Sequence, residues 1–526
     1  MKIMKHSLSR RNFIKKSTIL GAGISVLPQI LMGSNSSAIS NGRIIFPRPF
    51  AFAVDDLGWN IGNNTGSIDK QSPYRIGIDR KMDINNYKPI IEVGEAVGTR
   101  IQSLFVLAEM DRENILKNYP TTTWQGENWD NSKNISDNQI EIMNFVKNQA
   151  AYMEFGLHGV GHEYWVDGKM KRAEWYSTWE DHSWSEKSMR EHIQCFKDIM
   201  AQYGLSKENG HSFPESFVPC AYGYYWNPGE EYSTGKIMSE QGLKYVNTLF
   251  TYIEELNPPK GDNGGGFDNG VLVVNRINYG NPWYKLASLP TVLLEEQKSD
   301  IIETHWANWL AQDDFVQPDV TKSFVDYYKM VQKSEDRYIA KNTEQFSSQW
   351  LYKKYANVVE KTEGKVEIDN TKMPDDAYQN DILGNMVLKI KLKEGEHISN
   401  AKLNGKNIGV FFEDAGFGFI YLPQLKQKSY DLEYTLGNSF PDAYIYNNGT
   451  YNAYIFERIN NIYKTKIRLY GTQDIVFKGI AKPNKISIDN KNITIIKEKY
   501  DAENNQLTLT LSARDMQGET GVIEIG

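Results

Sequence analysis

Cysteine is nearly absent from this chain: its 526 residues contain only Cys195 and Cys220, and no Cys-x-x-Cys pair. Exported domains that rely on disulfides carry many more cysteines, and structural zinc knots need them in clusters. The composition therefore argues against both kinds of protein. We expect Cys195 and Cys220 to be two buried free thiols, with a bridge between them as the alternative.

Long apolar runs are equally scarce, and beyond the first 31 residues none approaches the ~18 consecutive apolar residues of a membrane span. The uncharged stretch at 17–31 follows Arg10-Arg11 in the string SRRNFIK, which resembles a twin-arginine export signal. Small side chains then offer a cleavage site after Ala38. We expect residues 1–38 to be a signal peptide recognised by the twin-arginine translocase, and the mature protein to be periplasmic or secreted.

The chain has no excess of positive charge, and its last third has no tryptophan. The formal net charge of −7 argues against nucleic acid or an anionic membrane as a partner. Eleven of the twelve tryptophans lie between Trp59 and Trp309, so the chain is at least bipartite. Because indole faces stack well on sugar rings, we expect a few tryptophans among polar residues to be exposed on ligand-facing loops. The candidates are Trp124, Trp129, Trp175, Trp179 and Trp184.

Apolar strand-like runs alternate with amphipathic helices between residues 44 and 345, which predicts an α/β fold with a parallel sheet, open or closed into a barrel. The expected strands are Phe50–Val54, Ile101–Leu107, Met153–Leu157, Ser216–Ala221, Leu243–Leu249, Val271–Val274 and Asp300–Thr304. The expected helices are Pro89–Ala96, Asp137–Asn148, Ser188–Tyr203, Gly235–Gln241 and Val320–Lys333. In α/β barrels, the loops after the C-terminal ends of the strands build the active site.

The pattern changes after about Glu363, where short strands follow one another with no helices between them. This spacing predicts one or two small antiparallel β-sandwiches. The segment from Lys482 onward resembles the C-terminal β-sandwiches attached to many carbohydrate-active enzymes. We therefore expect an α/β domain over 44–362, with its parallel sheet open or closed into a barrel, a small β domain over 380–438 and a C-terminal β-sandwich over 440–526.

Two short strings carry the chemistry. Asp55 and Asp56 end the apolar run in AFAVDDLGW, and His158 and His162 end the run in EFGLHGVGH. A catalytic metal needs three protein ligands and an open position, and one aspartate with two histidines is a suitable set for Zn²⁺ or a related divalent ion. The remaining aspartate is a spare carboxylate. Together these residues predict metal-assisted hydrolysis.

The strings VDDLG, HGVGH, FVPCAYGYY and IIETHW, in this chain order, resemble the NodB-homology polysaccharide deacetylases over roughly residues 45–355. The resemblance implies a distorted (β/α) barrel and the removal of acetyl groups by metal-activated water. It implies that Asp55 is the general base, that Asp56, His158 and His162 bind the metal, and that His305 is the general acid. The metal would be Zn²⁺, with Co²⁺, Ni²⁺ or Fe²⁺ as alternatives.

The chain departs from that family at three places. The first is Leu57-Gly58, where the family has Gly directly after the two aspartates. Position 159 is Gly159 where the family has Ser or Thr, so a hydroxyl that supports the loop is missing. The family's Arg-Pro-Pro-Tyr is replaced by residues 218–222, so the arginine that orients the base is also missing, and Arg276 in VVNRINYG is a candidate substitute. We expect a backbone N–H near Tyr222 to hold the oxyanion. The further residues expected to contact substrate are Trp59, Trp165, Arg276 and Trp306.

The other polar residues near these strings have weaker contexts. His182, His192 and His397 are expected on the surface, whereas His211 could touch substrate from a loop. Glu163 follows His162 directly, and we expect it to face solvent, with a role behind the metal ligand as the alternative.

Three functions are consistent with this sequence. The favoured one is a metal-dependent hydrolase that removes N- or O-linked acetyl groups from a polysaccharide or oligosaccharide. The second is a glycoside hydrolase or lyase, in which two carboxylates flank the glycosidic bond and chelators have no effect. The third is a catalytically silent glycan-binding protein on the same scaffold.

Overall fold

A computed structural model describes residues 42–61, 78, 80–177, 182–226, 233–250, 265–280 and 282–526. The expected signal peptide and Trp179 lie outside these residues. None of the helices in the described part of the chain combines the length and apolar character needed to cross a membrane.

The first part of the described chain mixes strands with helices, numbered here in chain order. The strands are β1 (Ile44–Ile45), β2 (Arg48–Leu57), β3 (Ile101–Val106), β4 (Met153–Gly159), β5 (Tyr164–Val166), β6 (Lys169–Lys171), β7 (Ser216–Phe217), β8 (Tyr245–Thr248), β9 (Gly265–Asp268), β10 (Val271–Asn275), β11 (Ile301–His305) and β12 (Arg337–Ile339). The helices are α1 (Lys88–Val97), α2 (Asp137–Asn148), α3 (Glu186–Ala201), α4 (Thr234–Ser239), α5 (Gln317–Lys333) and α6 (Thr343–Tyr355).

Seven of these strands form a curled parallel sheet in the order β11-β2-β3-β4-β7-β8-β10, with β9 added antiparallel beside β10 and β12 beside the start of β2. Just past β10, Ile277 forms a parallel bridge with Ile302 of β11, and its carbonyl accepts a 3.1 Å hydrogen bond from the Glu303 N–H. The two ends of the curled sheet therefore meet. This confirms the expected α/β class, with the sheet curled as in a barrel.

Most of the expected elements form where the hydrophobic pattern places them. The helix at Asp137–Asn148 has the expected bounds, because a capping box formed by Ser136 and Gln139 satisfies its first N–H groups. The expected strand Ser216–Ala221 is shorter and ends at Phe217, before Pro219, which has no N–H to donate to a neighbouring strand. One helix, α6, was not expected, because nine of its thirteen residues are buried and no polar stripe marks an exposed face.

The remainder of the chain is almost entirely strand. The strands are β13 (Asn357–Thr362), β14 (Lys365–Asp369), β15 (Met386–Lys391), β16 (His397–Leu403), β17 (Lys406–Asn407), β18 (Val410–Asp414), β19 (Phe417–Leu422), β20 (Ser429–Gly437), β21 (Tyr444–Tyr446), β22 (Asn452–Ile459), β23 (Ile462–Leu469), β24 (Thr472–Lys478), β25 (Ile486–Ile488), β26 (Ile493–Asp501), β27 (Gln506–Ala513) and β28 (Glu519–Ile525).

These strands form an eight-stranded sheet, β1-β15-β19-β18-β21-β24-β27-β26, a five-stranded sheet, β13-β14-β20-β16-β17, and a four-stranded sheet, β22-β23-β28-β25. All their pairings are antiparallel except that of β18 with β21. The eight-stranded sheet contains strands from both of the expected β domains, and α6 packs with its apolar residues in the same core. The domain boundaries given above remain a prediction.

A buried ion network connects the curled sheet to the β-rich part. Arg468 of β23 donates to Glu344 at the start of α6 (2.8 Å), to Glu215 just before β7 (2.6 Å) and to the carbonyl of Gln517 (3.0 Å). Arg468 and Glu344 are both buried. Removing one partner of such a buried ion pair strongly destabilises the protein, because the other charge stays buried without compensation.

We predict that Arg468→Met lowers the free energy of unfolding by about 3–5 kcal/mol, because Glu344 loses its cation. The matched control is Lys464→Met in the same strand, where the pair with Glu524 is exposed and a change below about 1 kcal/mol is expected. Urea-induced unfolding of both variants measures the difference. Equal losses in the two variants would contradict this role of Arg468.

Candidate functional site

The two adjacent aspartates lie at an irregularity near the end of β2. Val54 pairs with Ser103 of β3 and Leu57 with Phe105, so β2 has one more residue than β3 between these pairs. Such a bulge re-aims the side chains that it contains. Asp55 and Asp56 occupy this bulge, both are buried, and Asp56 has a left-handed backbone with φ of 70°.

The turn that follows requires a glycine. Gly58 has φ of 102°, and a Cβ atom at this position would lie 2.1 Å from the carbonyl oxygen of Val106 at the end of β3. Both the backbone conformation and the close approach of β3 therefore exclude a side chain. The glycine lets β2 end tightly against its neighbour, so the two aspartates face the interior of the site.

The two histidines are also positioned by a bulge. Phe105 pairs with Leu157 and Val106 with Gly159, so His158 is the extra residue of β4. His162 lies just past the strand in a left-handed conformation, with φ of 65°. The Nε2 atoms of His158 and His162 lie 3.4 Å and 3.8 Å from the same oxygen, Oδ1 of Asp56.

The other ring nitrogen of each histidine has its own partner. Nδ1 of His158 lies 2.7 Å from the carbonyl oxygen of Val218, and Nδ1 of His162 lies 3.0 Å from Oε1 of Glu163. Acceptors behind the two histidines hold the rings so that Nε2 of each faces Oδ1 of Asp56. Glu163 is completely buried and also pairs with Arg172. The expectation that Glu163 faces solvent was therefore wrong, and the alternative role behind His162 is what the structure contains.

These three side chains fit a divalent metal. Ligand atoms around a tetrahedral zinc ion lie about 3.3–3.4 Å apart, close to the 3.4 Å and 3.8 Å observed. Oδ1 of Asp56 is buried, and no hydrogen-bond donor among the described residues satisfies it. Burial raises the pKa of Asp56, but the opposing effect of His158 and His162 is larger. The pKa therefore lies far below its usual value, and the carboxylate is ionised.

A thiol lies beside the histidines. Potential ligand atoms of His158, His162 and Cys220 all lie within 4.8 Å of one another. The thiol of Cys220 donates to the carbonyl of His158 at 3.2 Å, and burial raises its pKa well above the usual value. Cys220 is thus a neutral neighbour of the histidines. Cys195 and Cys220 are both free and buried, which confirms the expected state of the two thiols.

The base candidate is held by an arginine from another strand end. Arg276, just after β10, donates to both oxygens of Asp55, at 2.9 Å and 2.6 Å, and both residues are buried. Burial raises the pKa of Asp55, but the charge of Arg276 outweighs this, with help from His158 and His305, so the pKa lies below its usual value. Arg276 therefore contacts the base candidate, as expected of a substitute for the arginine that is absent from residues 218–222.

The acid candidate is next to the base candidate. His305 of β11 is the register partner of Asp55 in β2, and potential ligand atoms of Asp55, Glu303 and His305 lie within 4.8 Å of one another. Nε2 of His305 lies 3.7 Å from Oε1 of Glu303. Glu303 is fully buried, accepts a 2.7 Å hydrogen bond from the hydroxyl of Tyr222 and lies 3.6 Å from Nε of Arg276.

Sequence reasoning missed Glu303. The signal was present in IIETHW, because residues two apart in a strand point to the same side, so Glu303 and His305 share a face of β11. The fully buried carboxylate of Glu303 contacts His305, Arg276 and the hydroxyl of Tyr222. Glu303 therefore connects the two proton-transfer candidates.

Tyr222 is at the site, but its N–H is occupied. It lies in a short 3₁₀ turn, Cys220–Tyr222, in which Ala221 and Tyr222 both have positive φ. The N–H of Tyr222 donates to the carbonyl of Pro219 at 3.1 Å. That N–H is thus engaged within the turn, and the hydroxyl of Tyr222 contacts Glu303.

The tryptophans expected to contact substrate are largely interior. Trp59 and Trp306 belong to the core of the curled sheet, and the indole N–H of Trp306 donates to the carbonyl of Asn86 at 3.1 Å. This corrects the expectation for Trp306, which packs instead. Trp165 is buried with its ring 6.4 Å from that of Trp124. Trp129 and Trp175 are buried and Trp124 and Trp184 are partly exposed.

The other histidines in the described part of the chain lie outside the cluster formed by Asp55, Asp56, His158, His162 and His305. His192 is 1% exposed, which corrects its expected surface position, and it contacts Glu174 and Thr121. His211 is buried, with Nδ1 3.9 Å from Oδ1 of Asp515 in the β-rich part. His182 and His397 are partly exposed.

Comparison with known proteins adds little. No protein-family model matches the chain, and no curated protein matches it significantly. A GH57-type branching enzyme from the hyperthermophilic archaeon Pyrococcus horikoshii shares 10% identity over 44% of this chain and 47% of its own length, with a TM-score of 0.24. The catalytic module of a family 98 glycoside hydrolase from Streptococcus pneumoniae TIGR4 shares 12% over 84% and 66%, with a TM-score of 0.13.

Both of these structures are of carbohydrate-acting enzymes. The chain spans about half the length of the first and about two thirds of the second. TM-scores this low support no conclusion about the fold or the activity of this chain. The geometry of the site is therefore the basis for assigning a function.

We predict that His158→Ala abolishes metal binding, because the variant loses one of three ligand atoms that surround one point. The wild type is expected to bind one equivalent of Zn²⁺ or Co²⁺. His397→Ala is the matched control, since His397 is partly exposed in β16 and pairs with Glu413. Elemental analysis after reconstitution measures the stoichiometry. A full equivalent of metal in His158→Ala would refute the ligand set.

Proposed function

We propose that this protein is a metal-dependent hydrolase that removes N- or O-linked acetyl groups from a polysaccharide or oligosaccharide, on a barrel of the deacetylase type. The observation that carries the proposal is the convergence of Asp56, His158 and His162 on one point, directly beside Asp55 held by Arg276. Zn²⁺ is the first candidate for the metal, with Co²⁺, Ni²⁺ and Fe²⁺ as alternatives.

Each polar residue then has a separate task. A bound divalent cation would act as a Lewis acid toward the acyl carbonyl and would lower the pKa of water. Asp55 stays ionised because Arg276 lowers its pKa, so it can accept a proton from the attacking water. His305, on the neighbouring strand, would donate a proton to the departing amine or alkoxide. Glu303 contacts both Arg276 and His305 and would fix their positions relative to each other.

A glycan is the proposed substrate because aromatic side chains are available near the acid candidate. The side chain of Asn308, three residues after His305, donates to the carbonyls of Pro282 at 3.0 Å and Lys285 at 2.9 Å. This fixes the loop that carries Tyr284, whose side chain is 57% exposed. An exposed ring at this position can stack on the apolar face of a sugar. Together with export through the twin-arginine route, which we also propose, it favours an envelope or extracellular glycan.

Glycoside hydrolysis is the less favoured alternative. It needs a carboxylic acid of raised pKa opposite a second carboxylate. Asp55 and Glu303 both lie within 4.8 Å of His305, but both contact Arg276, and the pKa of Asp55 is lowered. This arrangement suits a base better than a glycosidic acid. A silent binding protein would have no need for a buried base, acid and ligand set together.

We predict that Asp55→Asn binds one equivalent of metal but loses acetate release by about 10²–10⁴-fold, the usual contribution of a general base. The isosteric amide keeps the packing but cannot accept the proton. Acetate release from a panel of acetylated glycans, with and without a chelator, measures it. Full activity of Asp55→Asn would contradict the proposed role of Asp55 as the general base. Chelator-insensitive cleavage of the glycosidic bond itself would favour the glycosidase.

The arginine should set the acid limb of the pH profile. In Arg276→Met the cation that lowers the pKa of Asp55 is gone while burial remains, so the pKa rises. The base is then protonated at pH values where the wild type is ionised, and the acid limb of kcat/KM should move to higher pH by about 1–3 units. Arg276→Lys keeps the charge without the two-point contact and should shift the limb less. An unmoved limb in Arg276→Met would contradict this role.

A further inference from the structure

A buried carboxylate outside the expected site receives the backbone of the metal-binding loop. Glu174, twelve residues after His162, accepts hydrogen bonds from the N–H groups of Val160 (2.8 Å), Gly161 (3.1 Å) and His162 (2.7 Å). The N–H of Glu174 in turn donates to the carbonyl of His162 at 3.2 Å. Glu174 is 1% exposed. Three consecutive N–H groups thus converge on one side chain.

These N–H groups need such an acceptor because the strand has ended. Beyond β4 the chain turns away from the sheet, and His162 adopts a left-handed conformation. Buried N–H groups without partners are strongly unfavourable, and hydrogen bonds to a charged acceptor are stronger than neutral ones. By satisfying all three, the carboxylate fixes the conformation that directs Nε2 of His162 toward Asp56.

The glycine at position 159 fits the same arrangement. A Cβ atom on Gly159 would lie 2.3 Å from Oε2 of Glu174 and 2.9 Å from Sγ of Cys220. A serine or threonine at position 159 is therefore incompatible with the carboxylate where it stands. A side chain at position 159 and the carboxylate of Glu174 would therefore compete for the same space.

A second layer holds the carboxylate. Nδ1 of His192 lies 2.9 Å from Oε1 of Glu174, and Nε2 of His192 lies 2.9 Å from Oγ1 of Thr121. His192 belongs to α3, a sixteen-residue helix packed in the core, and is itself buried. Glu174 is thus anchored to a rigid element rather than to a loop alone. This precision is what a residue that positions a metal ligand requires.

We propose that Glu174 is the positioning residue of the metal site and takes the place of the missing hydroxyl at position 159. The inference rests on the proposed metal-dependent function, because it concerns the orientation of His162 as a ligand. In this role Glu174 does not itself bind the metal. It acts through the backbone of residues 160–162.

The test is Co²⁺ binding by full-length Glu174→Gln, followed by chelator competition and by visible absorption. Glutamine has the same shape but only one acceptor oxygen, so at least one of the three N–H groups loses its partner. We expect binding to weaken by about 10–100-fold, as for other groups behind metal ligands. The Co²⁺ absorption bands should also shift, since they report ligand geometry.

The control is Glu360→Gln in β13. Glu360 is another buried carboxylate that accepts from backbone N–H groups, those of Ile44 (3.1 Å) and Gly364 (3.0 Å). It should lower thermal stability without changing the affinity or spectrum of Co²⁺. If Glu174→Gln lowers stability alone, with affinity within twofold of the wild type and the same spectrum, the inference is overturned while the proposed function stands. If wild type binds neither Co²⁺ nor Zn²⁺, the proposed function fails first.

A second pair of variants tests the inference even if Glu174→Gln does not fold. Gly159→Ala places a Cβ against Oε2 of Glu174 and should weaken Co²⁺ binding. In Glu174→Ala the carboxylate is gone and the 2.9 Å approach to Sγ of Cys220 remains, so adding Gly159→Ala should cause a smaller further loss than it does in the wild type. Strictly additive effects on the dissociation constant would mean that the two positions do not share the space, which would overturn the inference.

Discussion

The two-point contact between Arg276 and Asp55 is the interaction on which the site depends. Five carboxylates are buried around the loop at residues 160–162 and the end of β2: Asp55, Asp56, Glu163, Glu174 and Glu303. A buried carboxylate stays ionised only where cations or hydrogen-bond donors compensate for the lost water. Arg276 compensates two of these carboxylates directly, because it contacts both Asp55 and Glu303. The others rely on histidines, on Arg172 and on backbone N–H groups, and Oδ1 of Asp56 is buried without a hydrogen-bond donor among the described residues.

That concentration of charge is possible because the sheet is irregular where the site lies. Regular parallel strands would direct successive side chains to opposite faces. The bulges at Asp55-Asp56 and at His158 turn the side chains of two neighbouring strands toward a common point. Left-handed conformations at Asp56, His162 and Tyr222 are held by the surrounding packing and hydrogen bonds. The α/β scaffold thus supplies rigid strand ends, and the departures from regular geometry supply the convergence.

Sequence patterns predicted the scaffold well because its strands and helices differ in their hydrophobic period. They failed where burial is complete. Helix α6 has no polar stripe, and Trp306 and His192 lie among polar residues in the sequence yet are buried in the core. Glu163 could not be distinguished from a surface residue, since its partners are Nδ1 of His162 next to it and a backbone N–H ten residues later. Contacts of this kind depend on how loops fold back, which single-sequence periodicity does not encode.

Two of the departures from the motifs of the resembled family gain a physical meaning in this setting. A base in the interior needs a cation beside it, and a turn that presents a histidine needs an acceptor for its N–H groups. Neither requirement fixes where in the sequence the partner must stand. Arg276 reaches Asp55 from the end of β10, and Glu174 reaches the loop from a position twelve residues beyond it, into the space that Gly159 leaves open. The missing arginine and the missing hydroxyl are therefore weak arguments for lost activity, because the structure contains a group of suitable charge at each of the two places.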